Sequence, residues 1–155
     1  MATVTAQPAR TDLYNSRIKA LAATARQTAL LDRHALPDGV ERRSASIDNP
    51  LCGDQIEVEI WSRNGRIIEL GFGIRGCLLA EASAAMMRQL AIGQTYAELD
   101  QRIEQLEAFL DNQQPLPDSW AEPLGCFTPV QAHPGRHDCL LLPFLAIQVA
   151  RIEHV

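Results

Sequence analysis

The sequence predicts an α+β fold made of antiparallel strands and separate helices, and three observations predict it. Ile56, Val58 and Ile60 alternate with Gln55, Glu57 and Glu59, which is the period of a strand with one buried face. Asn64-Gly65 follows, and a tight hairpin turn wants positive φ at both central residues, which Asn and Gly tolerate best. The patterned segments beyond Gly76 repeat their apolar residues at spacings of three and four, the period of a helix.

Residues 1 to 10 read as a flexible tail and residues 11 to 155 as a single domain. Tyr14, Ile18, Leu21 and Ala25 share one helical face, and that helix should end before Leu36-Pro37-Asp38-Gly39. From Ser44 the period changes to two. After the Asn64-Gly65 turn, Arg66 to Phe72 should return antiparallel with Ile68, Leu70 and Phe72 toward the core. Cys77 then opens an alanine-rich helix carrying Leu79, Ala82, Met86 and Leu90 on one face until Gly93 stops it. Thr95-Tyr96-Ala97-Glu98 has the capping-box pattern, and Leu99, Ile103, Leu106 and Leu110 follow at helical spacing. Pro115, Pro117, Pro123, Pro129 and Pro134 make residues 112 to 136 a long loop or a set of short helical turns. Leu142 to Ile152 is again helical, with Pro143 suited to its first turn.

Bulk properties narrow the function. The 155 residues are 46% apolar, ample for one core, so the four cysteines are not needed as staples, and nothing signals secretion; they read as reduced thiols. Fourteen basic against nineteen acidic residues, with no basic run to neutralise phosphates, argue against a nucleic-acid partner. The opening residues lack an apolar signal core, and no stretch reaches the roughly 18 to 20 apolar residues of a membrane span. The expected location is therefore the cytoplasm, with no membrane partner.

Three short segments carry ligand chemistry. In Asn49-Pro50-Leu51-Cys52-Gly53-Asp54 a thiol and a carboxylate stand two residues apart, so in an extended backbone both can reach one ion; equally, the aspartate could cap a turn while the cysteine packs. Cys77 lies between Gly76 and a helix start, whose partial positive charge favours a thiolate, and Arg75 adds to that field; an N-cap cysteine that is merely buried is the alternative. Arg136-His137-Asp138-Cys139 gathers guanidinium, imidazole, carboxylate and thiolate in four residues, a poor core segment and a plausible ligand cluster just ahead of the last helix. Cys126, between Gly125 and Phe127, has no ligand-type neighbour and reads as structural. No C-x-x-C pair, nucleophile elbow, Walker loop or dinucleotide glycine fingerprint occurs.

Taken in order with Phe72-Gly73-Ile74-Arg75-Gly76-Cys77 and Ala82-Ser83-Ala84-Ala85-Met86-Met87, these segments resemble the U-type iron-sulfur cluster assembly scaffolds: IscU, SufU and the NifU amino-terminal domain. The resemblance runs over about residues 11 to 152. It implies an α+β fold with a small antiparallel β-sheet covered by helices. It also implies a metal site of Cys52, Asp54, Cys77 and Cys139 holding a [2Fe-2S] cluster or zinc. Arg136, His137 and Asp138 are auxiliary candidates, and the fourth ligand is open between Asp54, Asp138 and His137.

The implied partners are a cysteine desulfurase and apo iron-sulfur acceptor proteins. The implied role is a non-enzymatic scaffold, or, on the SufU branch that the stretch from Gly93 to Arg136 resembles more closely, a zinc-dependent sulfurtransferase. A structural zinc-binding interaction module and a degenerate relative kept for binding alone are the competing readings. The chain departs from the family where Asp138 stands in place of histidine and Ile74 in place of glycine, and in lacking the Leu-Pro-Pro-Val-Lys chaperone signal.

Overall fold

The computed structural model describes residues 13–50, 52–116 and 118–152, so the expected tail at residues 1 to 10 lies outside the described residues. It holds a three-stranded antiparallel sheet with helices on one face. Helix α1 (Ser16–Gln27) starts where the Asn15 side chain accepts the Ile18 N–H at 3.0 Å, satisfying one of the unpaired amides of the first turn. It ends at Gln27, well before Leu36, and the chain continues through an extended strap to a 3-10 turn at Arg33–Ala35. Strands β1 (Glu41–Asp48), β2 (Gln55–Arg63) and β3 (Arg66–Arg75) pair in the order β1-β2-β3, both pairs antiparallel. The β2–β3 turn is the expected one, with φ of 55° at Asn64 and 78° at Gly65. β1, an edge strand of mixed polarity, was not resolved by the sequence pattern as a strand of its own.

Ile56, Val58 and Ile60 face the helices and are buried, as their alternation requires. β3 corrects one expectation. The register slips between Trp61 and Ser62, leaving Ile68 as an extra residue between the partners Glu69 and Ile67. This bulge reverses the side-chain alternation. Ile67 thus turns into the core, whereas Ile68 is exposed; Leu70 and Phe72 are buried as expected. Glu59 differs too. It lies on the opposite face of β2 yet is buried, paired with Arg42 of the neighbouring strand.

Helix α2 (Leu78–Ala91) lies along β3, and α5 (His137–Ile152) crosses β1 and β2; α1 packs on α2 and α3 (Tyr96–Leu110) on α5. The capping box of α3 is complete, with Thr95 accepting from the Glu98 N–H and Glu98 from the Thr95 N–H, both at 3.1 Å. The proline-rich stretch folds as short helical turns: α4 (Asp118–Leu124), then 3-10 turns at Gly125–Ala132 and Pro134–Arg136. α5 begins at His137 instead of Leu142, so Pro143 lies inside the helix and Cys139 in its first turn. Among the described residues no helix is long and apolar enough to cross a membrane.

The strap after α1 covers the outer face of the sheet at Gly71, where an added Cβ would come within 2.5 Å of the Ala29 carbonyl oxygen and 2.8 Å of the Leu31 nitrogen. Backbone atoms cannot yield as a side-chain tip can. Gly71→Ala should therefore cost roughly 1–3 kcal/mol in urea unfolding. Gly73→Ala, on the same face with nothing within 4 Å, should stay within about 0.5 kcal/mol of the parent.

Candidate metal centre

Three chain segments meet at one end of the sheet. The β1–β2 loop closes on itself, with the Asn49 N–H bonded to the Asp54 carbonyl at 2.7 Å and the Gly53 N–H to the Asn49 carbonyl at 2.8 Å. Gly53 sits at φ 75°, a conformation that a side chain resists, and this sharp reversal sets Cys52 and Asp54 on the same side. Pairing of Gln55 with Arg75 then fixes that loop beside the β3–α2 junction. There Cys77 is the N-cap of α2, its Sγ accepting the Ala80 N–H at 3.4 Å. The first turn of α5 brings Cys139 from the third direction.

The ligand atoms of Cys52, Asp54 and Cys139 all lie within 4.8 Å of one another. Cys77 Sγ is 3.5 Å from Asp54 Oδ2, and its thiol also contacts that of Cys139. Asp54 is almost wholly buried, and its Oδ1 accepts the Cys77 backbone N–H at 3.0 Å. Accessibility falls across the group, from exposed Cys52 through half-buried Cys77 to buried Cys139. Cys126 is not a member of the group. Its Sγ lies 3.9 Å from the Pro123 carbonyl, and its own carbonyl takes a hydrogen bond from Asn15.

The thiols differ in acidity. Cys77 is held down at about 7, first by the hydrogen bond from the Cys139 thiol and then by the Ala80 and Leu79 amides at the helix start, against burial and the Asp54 charge. Cys139 is pushed up for the complementary reason: it keeps the proton it shares with Cys77, and burial and the neighbouring negative charges reinforce this. Desolvation raises Cys52. Of the two coupled thiols, Cys77 is thus the one that ionises more readily and Cys139 the one that keeps its proton longer.

The residues before Cys139 separate into different roles. Arg136 lies against the group: Tyr14 first, and then Cys139 and Cys77, raise its pKa by stabilising the guanidinium. His137 turns away, with Nε2 3.2 Å from the Gln131 carbonyl, and Asp138 is exposed. Arg75, which the sequence placed in the field of Cys77, is exposed and is not among the leading causes of its acidity.

Gly76 explains how the carboxylate comes so close. A Cβ there would meet Asp54 Oδ1 at 2.8 Å and Cγ at 2.9 Å. Gly76→Ala should therefore break the Asp54–Cys77 hydrogen bond and cost roughly 1–3 kcal/mol, the range for a buried acceptor losing its donor. Amide exchange followed by NMR should show the Cys77 N–H losing protection ahead of the α2 interior. Unchanged protection at Cys77 would contradict this account.

Comparison with known proteins places this geometry. The NifU-like N-terminal domain profile matches residues 20–121, a stretch that includes Cys52, Asp54 and Cys77 and ends ahead of Cys139. The iron-sulfur cluster assembly scaffold protein IscU of Streptococcus pyogenes serotype M1 is 34% identical over 65 residues, 42% of this chain and 40% of that protein, so the match spans less than half the relative's length. The crystal structure of the N-terminal part of a nitrogen-fixing NifU-like protein from Brucella abortus superposes with a TM-score of 0.77 at 28% identity, covering 91% of this chain and 93% of that one. A SUF-system scaffold structure from Fervidobacterium islandicum AW-1 superposes at 0.75 with 21% identity, covering 92% and 98%, a likeness of fold. With its profile matched over most of the sequence, the chain belongs to the NifU-like N-terminal domain family.

Proposed function

We propose that this chain is an iron-sulfur cluster assembly scaffold and sulfur carrier, taking a [2Fe-2S] cluster or zinc on Cys52, Cys77, Cys139 and Asp54. It would work with a cysteine desulfurase and hand its cargo to apo iron-sulfur acceptor proteins. The observation that carries this reading is the convergence of Cys52, Asp54 and Cys139, with Cys77 set against Asp54 and Cys139, from three segments and with one thiol exposed. The donor set fits the cargo. Thiolates are soft ligands suited to zinc and iron-sulfur clusters, and a site for magnesium or calcium would be lined with oxygen. An exposed Cys52 also favours exchange over a closed structural zinc site, and it is the thiol best placed to meet an incoming sulfur donor.

The protein's own groups divide the work. Cys77, made more acidic by the Cys139 thiol and the helix-start amides, gives up its proton to bind a metal more readily than an ordinary thiol. Asp54 is locked by the Cys77 amide through one oxygen and presents the other toward the thiols. Arg136 offsets the negative charge that accumulates as the remaining thiols ionise.

Anaerobic purification with metal and sulfide analysis tests the assignment. Cys77→Ser should lose most of the bound metal, whereas Cys126→Ser should keep it nearly unchanged. Equal loss in the two variants would sink the ligand assignment. Asp54→Ala should retain a reconstituted cluster and release it more slowly to an apo-acceptor, because the hard, exchangeable carboxylate keeps one corner of the site open. A structural zinc site predicts weaker metal binding instead, whereas a drop in thermal stability from loss of the Asp54–Cys77 bond is expected on either reading. Visible absorption followed after adding apo-acceptor decides between them, and faster decay in Asp54→Ala would overturn the scaffold reading.

A further inference from the structure

We propose that Ser83 is a positioning residue that ties the helix bearing Cys139 to the helix begun by Cys77, and so sets the spacing of the two thiols. This rests on the reading of those thiols as ligands. Ser83 stands on the second turn of α2, fully buried in a stretch where Ala80, Ala82, Ala84 and Met86 are fully buried too. An alanine would suit such a surface, and a buried hydroxyl is costly unless it finds a partner. Its cheapest partner would be the carbonyl four residues back in its own helix. Instead Ser83 Oγ donates across to the Leu140 carbonyl of α5 at 2.5 Å, one residue beyond Cys139.

That bond falls one residue from a gap in the α5 hydrogen-bond ladder. Pro143 lies inside the helix and has no N–H to give the Cys139 carbonyl, and its ring crowds that oxygen. The turn presenting Cys139 therefore lacks a rung of its ladder at the thiol-bearing residue. The serine supplies a restraint from outside, anchored in the helix whose first residue follows Cys77. A single cross-helix bond thereby couples two of the three thiols.

Cobalt(II) titrated into the metal-free protein reads ligand geometry directly, through the thiolate-to-cobalt absorption and the visible bands. Ser83→Ala should keep its helical circular dichroism, since alanine fits the space and favours helix. Its cobalt affinity should fall about tenfold or more, the usual range for a residue that orients a ligand. The thiolate band per bound ion should also weaken. Ser83→Thr, which keeps the hydroxyl, should bind nearly as the parent does. Adding Pro143→Ala to Ser83→Ala should recover part of the affinity by restoring the missing rung. A Ser83→Ala protein with a lowered melting temperature but parental cobalt affinity and spectrum would overturn the inference and leave the serine a packing residue. A parent protein that binds no cobalt through thiolates would overturn the ligand reading and this inference with it.

Discussion

The hydrogen bond from the Cys77 amide to the Asp54 carboxylate is the contact on which the rest of the site depends. It joins the β1–β2 loop to the start of α2, elements that would otherwise be related only through the sheet. Two helix-end requirements are met at once: Asp54 takes the Cys77 N–H, and the Cys77 sulfur takes the Ala80 N–H. A carboxylate at this position also sits favourably against the helix dipole. The approach is feasible because Gly76 has no side chain and because the Gln55–Arg75 pairing fixes the two segments in register.

Once that junction is set, electrostatics shape the thiols. Placing several potential anions together would normally raise the pKa of each. Here the cost is spread unevenly: the Cys139 thiol and then the helix amides lower the Cys77 pKa, while that of Cys139 is raised. Arg136 supplies the nearby positive charge, and it reaches the group from the short turn before α5. The position matters because that turn and the start of α5 are continuous, so the cation and Cys139 are delivered by the same piece of chain.

Much of this was legible in the sequence, for local reasons. The Asn64-Gly65 hairpin, the Thr95–Glu98 capping box and the face of Leu99, Ile103, Leu106 and Leu110 are patterns whose causes lie within a few residues. The ligand-type residues Cys52, Asp54, Cys77 and Cys139 were legible by residue type and turn context, and the set-aside of Cys126 by the lack of such a context. What escaped depends on partners distant in sequence. The bulge that expels Ile68 comes from the pairing of β2 with β3, and the burial of Glu59 from Arg42 on a neighbouring strand. Pro143 misled for a physical reason. Proline is best tolerated in a helix's first turn, but apolar packing of α5 against β1, β2 and α2 carries the helix back to His137 in spite of it. The cation beside Cys77 is likewise not Arg75, two residues away in sequence, but Arg136, which the sequence analysis named only as an auxiliary candidate beside Cys139.

The early start of α5 bears on how such a site could release what it holds. A cysteine in a loop moves alone, whereas Cys139 within a helix moves only with the turn that carries it. Cys77 is likewise bound to the geometry of a helix start, and Asp54 to Cys77. Cys52 differs, lying exposed beyond the left-handed Gly53 in a loop closed chiefly by backbone bonds. The proposed donor set would thus have an inner side tied to helix starts and one accessible outer thiol. On the proposed carrier reading, the buried side would preserve the geometry between cycles, and exchange would begin by displacement at exposed Cys52, without opening the core that α2 and α5 share with the sheet.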